Sequence, residues 1–258
     1  MGKKGKKVKR KKFIKVAAAA TAATTLLVVI LLLLFIRQQA QNQISIENAP
    51  KRAAIIDGIG LTKPNPEFIE EAKNALSRAG LSVEVYVGEK VTINLLRSIG
   101  GYEMLILRTH SAVSQTDGYL YIFSAERYNR NQYVIEQMEG IVREARTFIE
   151  GESPYFALRA DQLGGENGLK GTTIIIMGCN GTNSYKTIKT LLIRGAKAII
   201  AWNGYVDLTY TDKITLNLIK AVYTEGLSYK EAIEKIMKQY GPDPIYKSKL
   251  EYVASSST

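Results

Sequence analysis

Gly171-Thr-Thr-Ile-Ile-Ile-Met-Gly-Cys-Asn-Gly181 decides how the rest of this chain is read. Apolar and β-branched residues run into Gly178, and Cys179 follows as the only cysteine in 258 residues. Such a run, closed by glycines, predicts a strand buried on both faces of a parallel sheet and ending in a tight turn. Open α/β sheets place ligands and chemistry outside the carboxyl ends of their strands. The only histidine, His110, closes a second segment of the same design, Tyr102-Glu-Met-Leu-Ile-Leu-Arg-Thr-His-Ser111.

Outward from these two segments, strand and helix patterns alternate. Arg52 to Gly60 predicts a first buried strand ending at Asp57. Glu67 to Gly80 carries apolar residues at helical spacing with acids in its first turn. Leu81 to Val87 alternates as a half-buried edge strand, and Val91 to Ile99 fits a short helix. Gly118 to Ser124 predicts a hairpin strand, Tyr133 to Phe148 a helix, and Ser153 to Lys170 a loop. After the cysteine strand come a helix at Asn183 to Arg194, a buried strand at Gly195 to Trp202, and helices at Thr211 to Thr224 and Ser228 to Gln239. The expected fold is α/β, a three-layer sandwich with a mostly parallel sheet and helices on both faces. Right-handed crossovers would bring the ends of the His110 and Cys179 strands to one edge as neighbours. Gly58-Ile-Gly60 lacks the third glycine and the immediate helix of a dinucleotide-binding turn.

The net charge of +11 is concentrated in nine basic residues within the first fifteen, which leaves the remainder near +2. Nucleic acid is therefore not an expected partner. Residues 16–36 carry no charge; as a helix they would span about 32 Å, enough for a hydrocarbon core of about 30 Å. The expected organisation is a basic cytoplasmic tail (1–15), an uncleaved transmembrane anchor (16–36), a polar stalk (37–51) and an extracytoplasmic domain (52–258), oriented by the positive-inside rule. One cysteine forbids an intrachain disulfide and, with one histidine, argues against a cysteine/histidine zinc site. No metal or other cofactor is expected.

A thiol is mostly protonated at neutral pH, and a neighbouring histidine can take its proton or stabilise the thiolate. Backbone N–H groups around Gly178, Cys179 and Ser111 would bind a developing oxyanion. A helix following Cys179 would add a favourable field from its amino end. The reaction class implied is acyl transfer, most simply peptide-bond hydrolysis. A buried cysteine taken alone is usually a small hydrophobe; it is the joint placement of the two residues on strand ends that points to chemistry. The Gly-x-Cys-x-Gly nucleophile elbow of other α/β hydrolases is absent, because Gly178 stands directly before Cys179.

The segment Ile-Ile-Met-Gly-Cys-Asn-Gly (175–181), the strand Arg-Gly-Ala-Lys-Ala-Ile-Ile-Ala-Trp (194–202) and the segment Tyr-Thr-Glu-Gly-Leu-Ser-Tyr-Lys-Glu-Ala-Ile (223–233) resemble the caspase–hemoglobinase fold. The resemblance runs from about Ala53 to Met237. It is closest to the CHAT and separase-like branch of these clan CD cysteine peptidases, with gingipain and clostripain as distant relatives. It implies that Cys179 is the nucleophile, His110 its base, and a protein or peptide the substrate. The family has glycine after its histidine where this chain has Ser111, the feature that supports an alternative, a non-catalytic binding or sensor domain tethered by the anchor. The family's specificity pocket draws on the end of the first strand or the loop after the last one, where Asp57, Asp207 and Asp212 stand. A carboxylate there implies cleavage after Arg or Lys through a charge-assisted contact.

Overall fold

The computed structural model describes residues 29–38, 51–165 and 168–254. It divides into two units, Met1–Ala49 and Pro50–Thr258. In the first, residues 29–38 are helical and exposed. No helix among the described residues is long and apolar enough to cross a membrane. The expected tail at 1–15, residues 16–28 of the expected anchor and residues 39–50 of the expected stalk lie outside the described residues.

The second unit is α/β. In chain order it comprises β1 (Arg52–Asp57), α1 (Pro66–Arg78), β2 (Ser82–Val87), α2 (Ile93–Ser98), β3 (Met104–Arg108), β4 (Ser111–Val113), β5 (Leu120–Arg127), α3 (Val134–Met138) and β6 (Val142–Ala145). There follow β7 (Tyr155–Arg159), β8 (Thr173–Ile176), α4 (Tyr185–Ile193), β9 (Ala198–Trp202), α5 (Leu208–Tyr223), α6 (Tyr229–Tyr240) and β10 (Leu250–Ala254). The larger sheet has six strands in the order β10-β9-β8-β3-β1-β2. Its strands run parallel except β10, which pairs antiparallel with β9.

Every residue of β3, β8 and β9 is buried, as their unbroken apolar runs require of strands covered on both faces. Alternate residues divide between two cores. Ile55, Ile106, Ile175 and Ile200 pack with Phe68 and Leu76 of α1, Leu218 of α5 and Ile236 of α6. On the opposite face, Ile56, Leu107, Ile176 and Ala201 pack with Leu96 of α2, Leu191 of α4, and Ile122 and Leu158 of a second sheet. That sheet has four antiparallel strands in the order β4-β5-β7-β6.

The second sheet corrects two expectations. The helix expected over Tyr133 to Phe148 is confined to α3, because Gly140 turns the chain at φ 66° into β6. The loop expected over Ser153 to Lys170 contains β7, a five-residue strand with four buried side chains. β10 lies in a stretch that carried no expectation.

Candidate active site

β3 and β8 are adjacent, with Leu107 opposite Ile176. Beyond these residues the chain carries His110 and Cys179 past the carboxyl edge of the sheet, and both line one groove of about 540 Å³. Each is half-buried. The His110 ring stands edge-to-face against Phe123, 5.8 Å between centroids.

Three elements fix the turn that presents Cys179. Thr211 of α5 donates to the carbonyl of Met177 at 3.1 Å and accepts the Trp202 indole N–H at 2.8 Å. The Ser111 hydroxyl donates to the carbonyl of Cys179 at 2.7 Å. The Asn180 N–H donates to the carbonyl of Gly204 at 2.7 Å. Asn180 itself sits at φ 58°, a left-handed conformation that asparagine tolerates better than most residues. Gly178 is required by close approach: a Cβ there would stand 2.4 Å from the Ser111 hydroxyl and 2.5 Å from the Thr109 carbonyl oxygen. Among the described residues, the N–H groups of Gly178 and Cys179 donate to no backbone carbonyl; Cys179 lines the groove and Gly178 is buried behind it.

Burial pushes the Cys179 thiol above its ordinary pKa; a contact from the Val206 N–H draws it partly back and Asp243 adds to the rise. Burial holds the His110 imidazole below its ordinary value, partly offset by the Glu152 carboxylate. Neither shift draws on the other group. Both directions favour the uncharged forms at neutral pH, a neutral thiol and a neutral imidazole. Between Cys179 and α4, whose field was expected on the thiol, the chain inserts the turn Asn180–Asn183 and the cap Ser184. Helix fields fade within the first turn.

The three candidate specificity carboxylates do not line this groove. Asp57 and Asp212 are buried on Arg108, a β3 residue 1% exposed. Arg108 Nη1 donates to Asp57 at 2.9 Å, while its Nε and Nη2 grip Asp212 at 2.8 and 2.9 Å. Asn65 adds a bond to Asp212 at 2.8 Å, and the carbonyl of Lys63 accepts from Arg108 at 2.9 Å. Asp207 is the N-cap of α5 and accepts the Tyr210 N–H at 2.9 Å. Asp212 is not a helix cap but lies in the second turn of α5. Among the described residues, the one ionised side chain on the groove wall is Arg146, whose head is held by Glu144 at 2.6 and 3.0 Å.

Several residues that shape the site gave no signal in the reading of the sequence. Arg108 could have been found, since it ends β3 directly opposite Asp57 at the end of β1. Asp243 and the segment Arg146–Ile149 could not, because each lies in an irregular stretch far along the chain from Cys179.

Among the described residues, no group of three His, Cys, Asp or Glu side chains is placed to hold a metal ion. No family model matches the chain, and a search of curated proteins returns no match.

Proposed function

We propose that the second unit is a cysteine endopeptidase of the caspase-like kind, with Cys179 as nucleophile and His110 as general base, tethered to a membrane through residues 16–36 and facing away from the cytoplasm. The observation that carries this reading is that the chain's only cysteine and only histidine leave adjacent parallel strands and line one groove.

The neutral resting pair defines the chemistry. His110 takes the thiol proton as the sulfur attacks the substrate carbonyl, so charge develops only along the reaction coordinate. The N–H groups of Gly178 and Cys179 receive the oxyanion. The imidazolium returns its proton to the departing amine as the C–N bond breaks and a thioester remains on Cys179. Water, deprotonated by His110, then attacks the thioester; the acid product leaves and the thiol is restored.

A second reading, a binding or sensor domain without catalysis, draws on the raised pKa of Cys179 and on Ser111 in place of glycine. The discriminating experiment incubates the full chain and its Cys179→Ala form with a panel of reporter peptides. Cys179-dependent turnover supports the peptidase. Equal signals from the two proteins, with no labelling of Cys179 by thiol-reactive acyl analogues, would leave only the binding reading.

A further inference from the structure

We infer that the groove selects a large apolar or aromatic side chain on the residue whose carbonyl Cys179 attacks; this specifies the substrate class of the site and rests on the peptidase reading for the cut itself. Tyr205, Val206 and Tyr246 line the same groove as Cys179, so they are the surfaces a substrate side chain meets beside the nucleophile. The Tyr205 and Tyr246 rings lie 5.9 Å apart, and Phe148 stands edge-to-face on Tyr205 at 5.9 Å. All three remain open to solvent, Phe148 at 92%. Exposed aromatic rings gathered around one concave site mark a place where apolar surface is covered by a ligand.

Charge supports the same occupant. Among the described residues, no carboxylate lines the groove, and Arg146 is already paired with Glu144. An arginine or lysine side chain entering here would lose water and find no free carboxylate on the wall: Glu152, whose charge reaches His110, already accepts from Thr147 and Tyr155, and Asp243, whose charge reaches Cys179, already accepts three backbone N–H groups. An aspartate would have to displace Glu144.

The wall is set before any substrate arrives. Asp243, fully buried, accepts the N–H groups of Asp207 at 2.8 Å, Ile245 at 2.9 Å and Tyr246 at 2.6 Å. The Ser248 hydroxyl donates to the carbonyl of Tyr205 at 2.6 Å. Asp243 is thus a positioning residue that ties the loop after β9 to the loop before β10. A wall that needs no ordering on binding loses less affinity to entropy.

The test uses the full-length Cys179→Ala protein and peptides identical except for Phe, Leu, Arg or Asp at one position, with dissociation constants measured by calorimetry. The Phe and Leu peptides are expected to bind at least about tenfold tighter than the Arg and Asp peptides. Tyr246→Ala is expected to erase most of that difference while leaving the unfolding temperature near that of the parent. Arg or Asp peptides that bind as tightly as Phe, or no binding by any of the four, would overturn the inference. Turnover of the same peptides by the Cys179 protein separates the two ideas. Preferential binding of Phe without turnover leaves the preference standing and removes the peptidase. Faster turnover of the Arg peptide does the reverse.

Discussion

The hydroxyl of Ser111 donates to the carbonyl oxygen of Cys179 at 2.7 Å and rests on Gly178, tying the His110 segment to the Cys179 turn. Ser111 therefore has a structural use. Its side chain is spent on holding the turn.

Ser111→Ala removes that bond and keeps the backbone as it is. The expected loss is about 1 kcal/mol of stability, roughly 2–4 °C in unfolding temperature for a domain of this size. Ser111→Gly adds backbone freedom in the unfolded chain and should lose a further ~0.4–1 kcal/mol. Turnover should fall in both, because the turn is held by one tie fewer. Thermal unfolding and peptide turnover, measured side by side, check this; unchanged values for both variants would remove the role assigned to the hydroxyl.

Gly178→Ala places a methyl on two oxygens at once. The turn must shift, and overpacking of this kind costs about 1–3 kcal/mol. Ser111→Gly in the same chain would relieve only the contact with the hydroxyl, since the Thr109 carbonyl oxygen stays at 2.5 Å. The expected result in urea is a lowered midpoint for the single variant and partial, not full, recovery in the double. Full recovery would mean that the Thr109 contact yields freely.

The parallel strands and the adjacency of the His110 and Cys179 strands were legible because these strands are continuous apolar runs. Val142–Ala145 and Tyr155–Arg159 were not, because short strands of a second sheet take their stability from neighbours that a local pattern does not contain. The specificity carboxylates failed for a related reason. Asp57 and Asp212 were expected to meet a substrate cation, yet a buried arginine of the chain itself holds them. Position along a strand predicts where a carboxylate is, and only the third dimension shows what it already holds.

Arg108→Met tests that cluster. The native site encloses one guanidinium and two carboxylates, and burial already pushes Asp57 above the ordinary carboxylate range despite the arginine. Removing the cation leaves two buried carboxylates unpaired, an expected loss of about 3–5 kcal/mol. Arg108→Met combined with Asp57→Asn and Asp212→Asn should recover a large part of it. The sign with pH follows from linkage. Carboxylates whose folded pKa is raised take up protons on folding, so the deficit of the single variant should shrink as pH falls toward 5 and grow as it rises. Denaturant midpoints at several pH values measure this, and a deficit independent of pH would mean that the carboxylates are not the source.

The last prediction concerns the charge state of the reactive pair. A Cys179 thiol held above its ordinary pKa of about 8.5 should react with iodoacetamide at a rate that climbs through pH 8–9 without a plateau near neutrality. His110→Gln should leave that profile nearly in place while reducing peptide turnover by about 10²–10⁴, since the imidazole acts in the transition state and not on the resting thiol. For His110 itself, burial lowers the folded pKa below the unfolded value of about 6.5. The unfolded chain then binds the extra proton first, so stability is complete above about pH 6.5 and is lost as pH falls below it. The acid limb of kcat/KM should lie below the same point, because the base stays neutral until then. In His110→Gln the acid-side slope of stability should flatten by the contribution of one proton. Alkylation that is already complete at pH 6 and is abolished in His110→Gln would identify a preformed thiolate–imidazolium pair and overturn the neutral one.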